Sequence, residues 1–264
     1  MNLKETITEN ENSFLEKGYI VKDIENKEYL EKISNSLFEY SKEILGSNFG
    51  NSSDLDFFNK IHNNVSVKDL NDFRVKLINN VNATHEIKKK LYNISKSLLH
   101  ELVGNELAVQ RRLNLSIQFP NDDSSLLPVH ADTWSGDSPF EIVTWLPLVD
   151  CYETKSMYIL PPKYYEDLKN NFAEFANKSA ADIFDKISDK IDWIDIKFGQ
   201  IMLFNQSLPH GNVVNKIPET RWSINCRFKS LFTPYGDKKL GEFFEPISTK
   251  VMSKIGMNYS HPST

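Results

Sequence analysis

Apolar residues in the first hundred or so positions recur at helical spacing: Leu30, Ile33, Leu37 and Ile44, then Ile87, Leu91, Ile94, Leu98 and Leu102, with Gly104 placed to stop the second run. That period predicts packed amphipathic helices. It changes over residues 113–119, where Leu113, Leu115, Ile117 and Phe119 alternate with Asn114, Ser116 and Gln118 ahead of Pro120, the pattern of a half-buried strand. Further short strand patterns fall at 142–149, 156–160, 193–197, 200–205, 211–214 and 221–231, most of them bounded by Pro, Gly, Asn or Asp. Short strands without regular intervening helices predict an antiparallel sandwich or barrel. Residues 164–191 interrupt them with Leu168, Phe172 and Phe175 at helical spacing in a Lys-, Glu-, Asp- and Ala-rich stretch, which predicts a helical insertion. From Gly236 onward neither period dominates.

Composition narrows the class. Of 264 residues, 40% are apolar and 25% charged, enough to bury a core and unlike a disordered tail. A net charge of −5 disfavours a nucleic-acid partner. The two cysteines, Cys151 and Cys226, lack paired C-x-x-C spacing and fit a reducing compartment, Cys226 as a small apolar residue on its strand. Residues 1–6 carry no apolar leader, and no apolar run approaches the roughly 18 residues that span a bilayer, so a soluble, cytoplasmic protein is expected.

Candidate chemistry centres on His130 and Asp132, two residues apart after Pro128, and on His210, followed by Gly211 and Asn212. On an extended segment the imidazole and the carboxylate point to one face and can chelate one ion. Two imidazoles and one carboxylate form a facial triad that leaves adjacent positions open, the arrangement used by non-haem Fe(II) oxygenases to activate O2. The His-x-Asp spacing alone decides little, because composition supplies about 0.4 such matches by chance. A loop histidine beside a turn aspartate is its bland reading.

Support lies downstream. Arg221, Ser223, Asn225 and Arg227 alternate with Trp222, Ile224, Cys226 and Phe228, giving a strand with one polar and one apolar face. If the apolar face meets the helices, Arg221 can hold a carboxylate bidentately and Ser223 can donate to the same oxygens. Only five of the 31 basic residues are arginines (Arg74, Arg111, Arg112, Arg221, Arg227), and chance places one ten to twelve residues after a given histidine with a probability of about 0.06. The polar row Arg112, Asn114, Ser116 and Gln118 suits either a substrate-facing wall or a solvated face. Trp134 is close enough to the triad to border a cavity, or to pack. The histidines at 62, 85, 100 and 261 read as surface or core.

These residues resemble the Fe(II)- and 2-oxoglutarate-dependent oxygenases, and within them the phytanoyl-CoA dioxygenase-like group. The match runs through His130-x-Asp132, then Thr144 to Asp150, Ser156 to Pro161, His210-Gly211-Asn212 and Arg221, over roughly residues 110–232. The resemblance implies a mainly β core with flanking helices, a double-stranded β-helix (jelly roll, cupin-like). It implies one oxygenase domain over 1–264, with helical support at 1–110, the β-helix at 111–235 and a tail at 236–264. It further implies Fe(II) on His130, Asp132 and His210, and 2-oxoglutarate as cosubstrate with its distal carboxylate on Arg221 and Ser223 as helper. Oxidation by O2 would then yield succinate, CO2 and, because Asp132 is present where related halogenases have a small residue, a hydroxylated or desaturated product. The group's glutamine between the metal histidine and aspartate is Ala131 here, which leaves Thr144 or Gln118 to supply its hydrogen bond. Arg112, Asn114, Trp134 and Arg227 are the substrate-side candidates. The expected substrate is a polar small molecule, a sugar or sugar nucleotide, in line with bacterial members from surface-carbohydrate clusters. The rival is a cupin-like metal-binding protein or isomerase, which needs no cation such as Arg221 facing the metal.

Overall fold

In the computed structural model, which describes residues 7–49 and 54–262, the first helix, α1 (Glu9–Lys17), is closed at its start by a capping box between Thr8 and Glu11. Residues 1–6, read above for a leader, lie outside the described residues. Gly18, at φ 80°, ends α1 and turns the chain straight into strand β1 (Tyr19–Asp23). Helices α2 (Lys27–Leu45), α3 (Asp54–Lys60), α4 (Val67–Asn82) and α5 (Glu86–Leu102) follow. Each long helix buries one stripe: Leu30, Ile33 and Leu37 on α2, Leu70, Phe73, Leu77 and Val81 on α4, Ile87, Leu91 and Leu98 on α5. The N–H of Gly104 bonds back to the Leu99 carbonyl at 3.2 Å, so the stop read from sequence works as a C-terminal cap.

The strands after α5 are β2 (Leu107–Gln110), β3 (Asn114–Gln118), β4 (Glu141–Pro147) and β5 (Tyr158–Ile159). Helices α6 (Pro162–Asn170) and α7 (Ala180–Ile187) occupy the interrupting stretch. The chain then runs through β6 (Asp192–Trp193), β7 (Gln200–Asn205), β8 (His210–Gly211), β9 (Arg221–Ser230), β10 (Phe244–Ser248) and helix α8 (Val251–Met257). The strand pairs are antiparallel, in one sheet ordered β1-β7-β4-β9-β2-β10 with β3 also on β9, and a second ordered β6-β5-β8. This is the mainly β, jelly-roll core with flanking helices that the sequence implies. No helix among the described residues is long and apolar enough to cross a membrane.

Strand β9 is the spine. Its ten residues pair with β4 along one edge and with β3 and then β2 along the other. Trp222, Ile224, Cys226 and Phe228 are fully buried, and the Trp222 ring meets Phe58 edge-on at 4.9 Å. The opposite row, Arg221, Ser223, Asn225 and Arg227, lines a cavity. One hydrophobic cluster joins the helices to this sheet, from Leu30 and Phe57 through Trp222 to Phe228. Phe57, with no exposed surface, touches Phe38, Phe49 and Phe58, so Phe57→Ala is expected to cost roughly 3–5 kcal/mol, read as a fall in the urea midpoint at unchanged slope.

Three strands depart from the sequence reading. β1 lies inside residues 1–110, expected to be helical, and pairs with β7 as an edge strand because Gly18 frees the chain from α1. β2 precedes the expected start at 111; its four residues are all buried between β9 and β10, too short an apolar run to separate from the end of α5 by periodicity. β10 falls in the ambiguous tail and carries Pro246, which an edge strand tolerates.

Candidate metal centre

His130 and His210 are brought together by backbone pairing. The N–H of each donates to the carbonyl of the other, at 3.0 and 2.8 Å, an isolated antiparallel bridge that extends the β8 pairing. Ala131 is extended (φ −119°, ψ 136°), so Asp132, which opens a short turn, points to the same side as His130. The Asp132 N–H donates to the Gln206 carbonyl at 3.0 Å. Gly211 allows the close approach, since a Cβ there would lie 2.7 Å from both the Leu127 carbonyl and the Tyr158 hydroxyl.

One donor atom from each of His130, Asp132 and His210 lies within 4.8 Å of the other two. Nδ1 of His130 sits 2.8 Å from the Pro128 carbonyl, and Nδ1 of His210 sits 2.8 Å from the Leu208 carbonyl. Since a carbonyl only accepts, both Nδ1 atoms carry a proton, which leaves the Nε2 atoms as the ones to bind an ion. Burial pushes His210 down to about 4, which keeps its ring neutral at neutral pH. Burial also opposes charge on His130, but hydrogen bonds to Asp132 and Pro128 outweigh it and raise its pKa. Burial alone would raise Asp132; His130 and Arg227 overcome it and hold the carboxyl well below the usual range. Two imidazole nitrogens beside an ionised oxygen make a donor set suited to a divalent transition ion.

The triad opens into a cavity of about 450 Å³, within the roughly 300–1,000 Å³ of small-molecule sites. Arg221 lines the same cavity, and both Ser223 and Asn225 separate it along β9 from Arg227. Its side chain is buried, with Nη1 donating to the Ser156 carbonyl at 3.2 Å and Nη2 to Ser116 Oγ at 2.8 Å. Burial pushes its pKa down to about 10. Among the described residues it forms no ion pair, and Arg221 Nε, Ser223 Oγ, Ser156 Oγ and Gln118 Oε1 are buried without hydrogen-bond partners. An unpaired buried cation surrounded by unsatisfied polar atoms is costly unless an anion completes it.

The other sequence candidates divide. Asn114 lines the cavity and donates to Asn225 Oδ1 across the strand pair at 2.8 Å. Arg227 lines it too, and its guanidinium grips Asp132 at 2.6 Å. Arg112 is exposed and donates to Asn79 on α4 at 3.1 Å, outside the cavity, because it precedes the paired part of β3. Trp134 packs on Phe172 of the insertion, 4.8 Å between centroids, rather than on the cavity. Thr144 also sits outside: Val143 and Trp145 face the cavity, so alternation turns Thr144 away, and its hydroxyl donates to the Cys226 carbonyl at 3.2 Å. Gln118 donates to the Val213 carbonyl at 2.7 Å and lies across from Arg221 in register, on the same face of the sheet, although it is not among the residues that line the cavity. Thr144 therefore does not replace the missing glutamine at Ala131 from within the cavity. Sequence reading gave no role to Ser156, Arg74 and Gln206, and placed Ser116 only in the polar row of β3. The inward alternation of β3 was the signal for Ser116, and its bond to Arg221 was what the sequence could not show.

No protein-family model matches this chain, and no curated protein matches its sequence. Solved structures do. A non-haem α-ketoglutarate-dependent carbocyclase, SnoK from nogalamycin biosynthesis, aligns with a TM-score of 0.55 at 14% identity over 93% of this chain and 98% of its own. EctD from S. alaskensis with bound Fe aligns at 0.51 and 14% identity, covering 89% of this chain and 81% of its own. HygX from Streptomyces hygroscopicus with nickel and 2-oxoglutarate bound aligns at 0.51 and 11% identity, covering 89% and 91%. With the antiparallel jelly-roll core and the His-Asp-His cluster already in place, these likenesses give the chain the fold of the non-haem iron, 2-oxoglutarate-dependent oxygenases.

Proposed function

We propose that this chain is a non-haem Fe(II) and 2-oxoglutarate-dependent dioxygenase that oxidises a polar small molecule. The observation that carries the reading is Arg221, a buried guanidinium without an acid partner in the cavity that also holds the triad. A cupin-like metal-binding protein or isomerase gives no reason to bury that charge, whereas a dicarboxylate chelating at one end needs a planar cation at the other. The residues fit both groups: His130, Asp132 and His210 would hold the iron, and Arg221 with Ser223 would hold the distal carboxylate, satisfying orphaned Arg221 Nε and Ser223 Oγ. Bound iron and 2-oxoglutarate would supply the oxidising chemistry, consuming O2 and releasing succinate and CO2.

This chain's own residues do the rest. Ser116 and the Ser156 carbonyl fix the guanidinium plane, and Val143, Trp145, Met157 and Phe204 give the cavity apolar walls that restrict water. Asn114 and Asn225 offer amide groups on the wall between the cosubstrate end and the triad, which suits a hydroxyl-rich substrate such as a sugar or sugar nucleotide. SnoK is a carbocyclase, so the fold serves more than hydroxylation, and hydroxylation is the outcome proposed for this chain.

Anaerobic addition of Fe(II) and 2-oxoglutarate to the purified protein is expected to produce a visible metal-to-ligand charge-transfer band, followed by succinate formation on admitting O2. A protein that binds Fe(II) but gives no band and no succinate would return the cupin-like reading to first place.

A further inference from the structure

Two guanidinium donors converge on one oxygen of the candidate metal carboxylate. Arg227 Nη2 lies 2.6 Å and Nε 3.2 Å from Asp132 Oδ2, while Asp132 Oδ1 faces His130 Nε2 at 3.5 Å. The guanidinium is itself anchored from behind. Its Nε also donates to Gln206 Oε1 at 2.8 Å, and Nη1 reaches Gln110 Oε1 at 3.4 Å. Gln206 is fully buried, and its Nε2 donates to Glu141 Oε2 at 2.8 Å and to the Ser138 carbonyl at 3.3 Å. The amide orientation is fixed, because a flip would set its NH2 against the guanidinium and its oxygen against the carboxylate. Gln206 therefore holds Asp132 twice, through its own carbonyl and through Arg227.

Resting on the metal reading above, we infer that Arg227 is a positioning residue that reserves Asp132 Oδ2, so that Asp132 offers an ion one oxygen and not two. Coordination arithmetic gives this a purpose. Three single donors from the protein leave three positions of an octahedron, two for a chelating 2-oxo acid and one for O2. A carboxylate free to chelate through both oxygens would occupy one of those positions. A lysine, the cation this chain uses in all but five places, could also cap the oxygen; arginine adds a fork that caps Oδ2 while Gln206 and Gln110 hold it from behind.

The Mn(II)-loaded protein tests this without turnover, since water-proton relaxivity reports the number of exchangeable waters on the ion. The wild type is expected to show three. Arg227→Met is expected to lower the relaxivity per bound Mn(II) by about one third, as Asp132 becomes bidentate. Arg227→Lys, which still caps Oδ2, is expected to keep the wild-type value. Arg227→Gln substitutes for the methionine variant if that chain does not fold, as judged by circular dichroism and thermal unfolding. Wild-type relaxivity in every folded neutral variant would overturn the inference and leave Arg227 a packing residue. A wild-type protein that binds no Mn(II) would instead remove the metal centre itself, and this inference with it.

Discussion

Arg221→Met is expected to separate cosubstrate binding from folding. Truncating one side of a buried, hydrogen-bonded charge pair costs about 2–5 kcal/mol. At 1.4 kcal/mol per tenfold, 2-oxoglutarate affinity should fall by roughly 30- to 4,000-fold, measured by titrating the charge-transfer band. Metal affinity should be unchanged within about threefold, since Arg221 makes no contact with the triad. The stability of the ligand-free protein should not fall. Arg221 is a buried cation without an ion-pair partner among the described residues, so an apolar chain in its place removes an uncompensated buried charge. Arg221→Lys should recover part of the affinity, since an ammonium supplies the charge but not the planar fork. Destabilisation of the ligand-free protein together with intact 2-oxoglutarate binding would make Arg221 a structural cation and remove the main support for the proposed chemistry.

The parts of this site that sequence made legible are those that one strand or one turn controls. Alternation on β9 sorts Arg221, Ser223, Asn225 and Arg227 from Trp222, Ile224, Cys226 and Phe228, and the structure sends the two rows to the cavity and the core as that alternation requires. The His130-x-Asp132 spacing likewise needs only an extended Ala131. What stayed hidden depends on contacts between distant segments. Nothing local marks Gln206 as the residue behind Arg227, or Glu141 behind Gln206, because 65 positions separate the latter pair and the link exists only after β4 and β7 pair. Thr144 shows the converse failure: it lies within the matching motif, yet the pleat turns its hydroxyl from the cavity. The strands that escaped the reading, β1, β2 and β10, are five, four and five residues long, too short for a period to declare itself beside helices and loops.

Asp132→Ala is expected to have the largest combined effect of any single change at the centre. It removes the one anionic donor, leaving two imidazoles, and metal affinity should fall by at least about 1,000-fold, or about 4 kcal/mol, in a competition with a chromophoric chelator. Unlike the loss of a histidine, it also strands a charge. Arg227, with its side chain 14% exposed, would keep Gln206 as a neutral acceptor but lose its only ion-pair partner among the described residues. Breaking such a pair from one side should cost the ligand-free protein about 3 kcal/mol or more. His210→Ala gives the control. It should lose metal to a similar degree, while the backbone bonds between positions 130 and 210 survive, so its stability cost should be smaller and limited to the cavity left beside Phe204. The double variant Asp132→Ala/Arg227→Met should regain much of the stability lost in Asp132→Ala without regaining metal, because the stranded cation goes with its partner. If Asp132→Ala and His210→Ala prove equally stable, the Arg227–Asp132 pair contributes nothing to the folded state; if Asp132→Ala keeps wild-type metal affinity, the carboxylate is not a ligand.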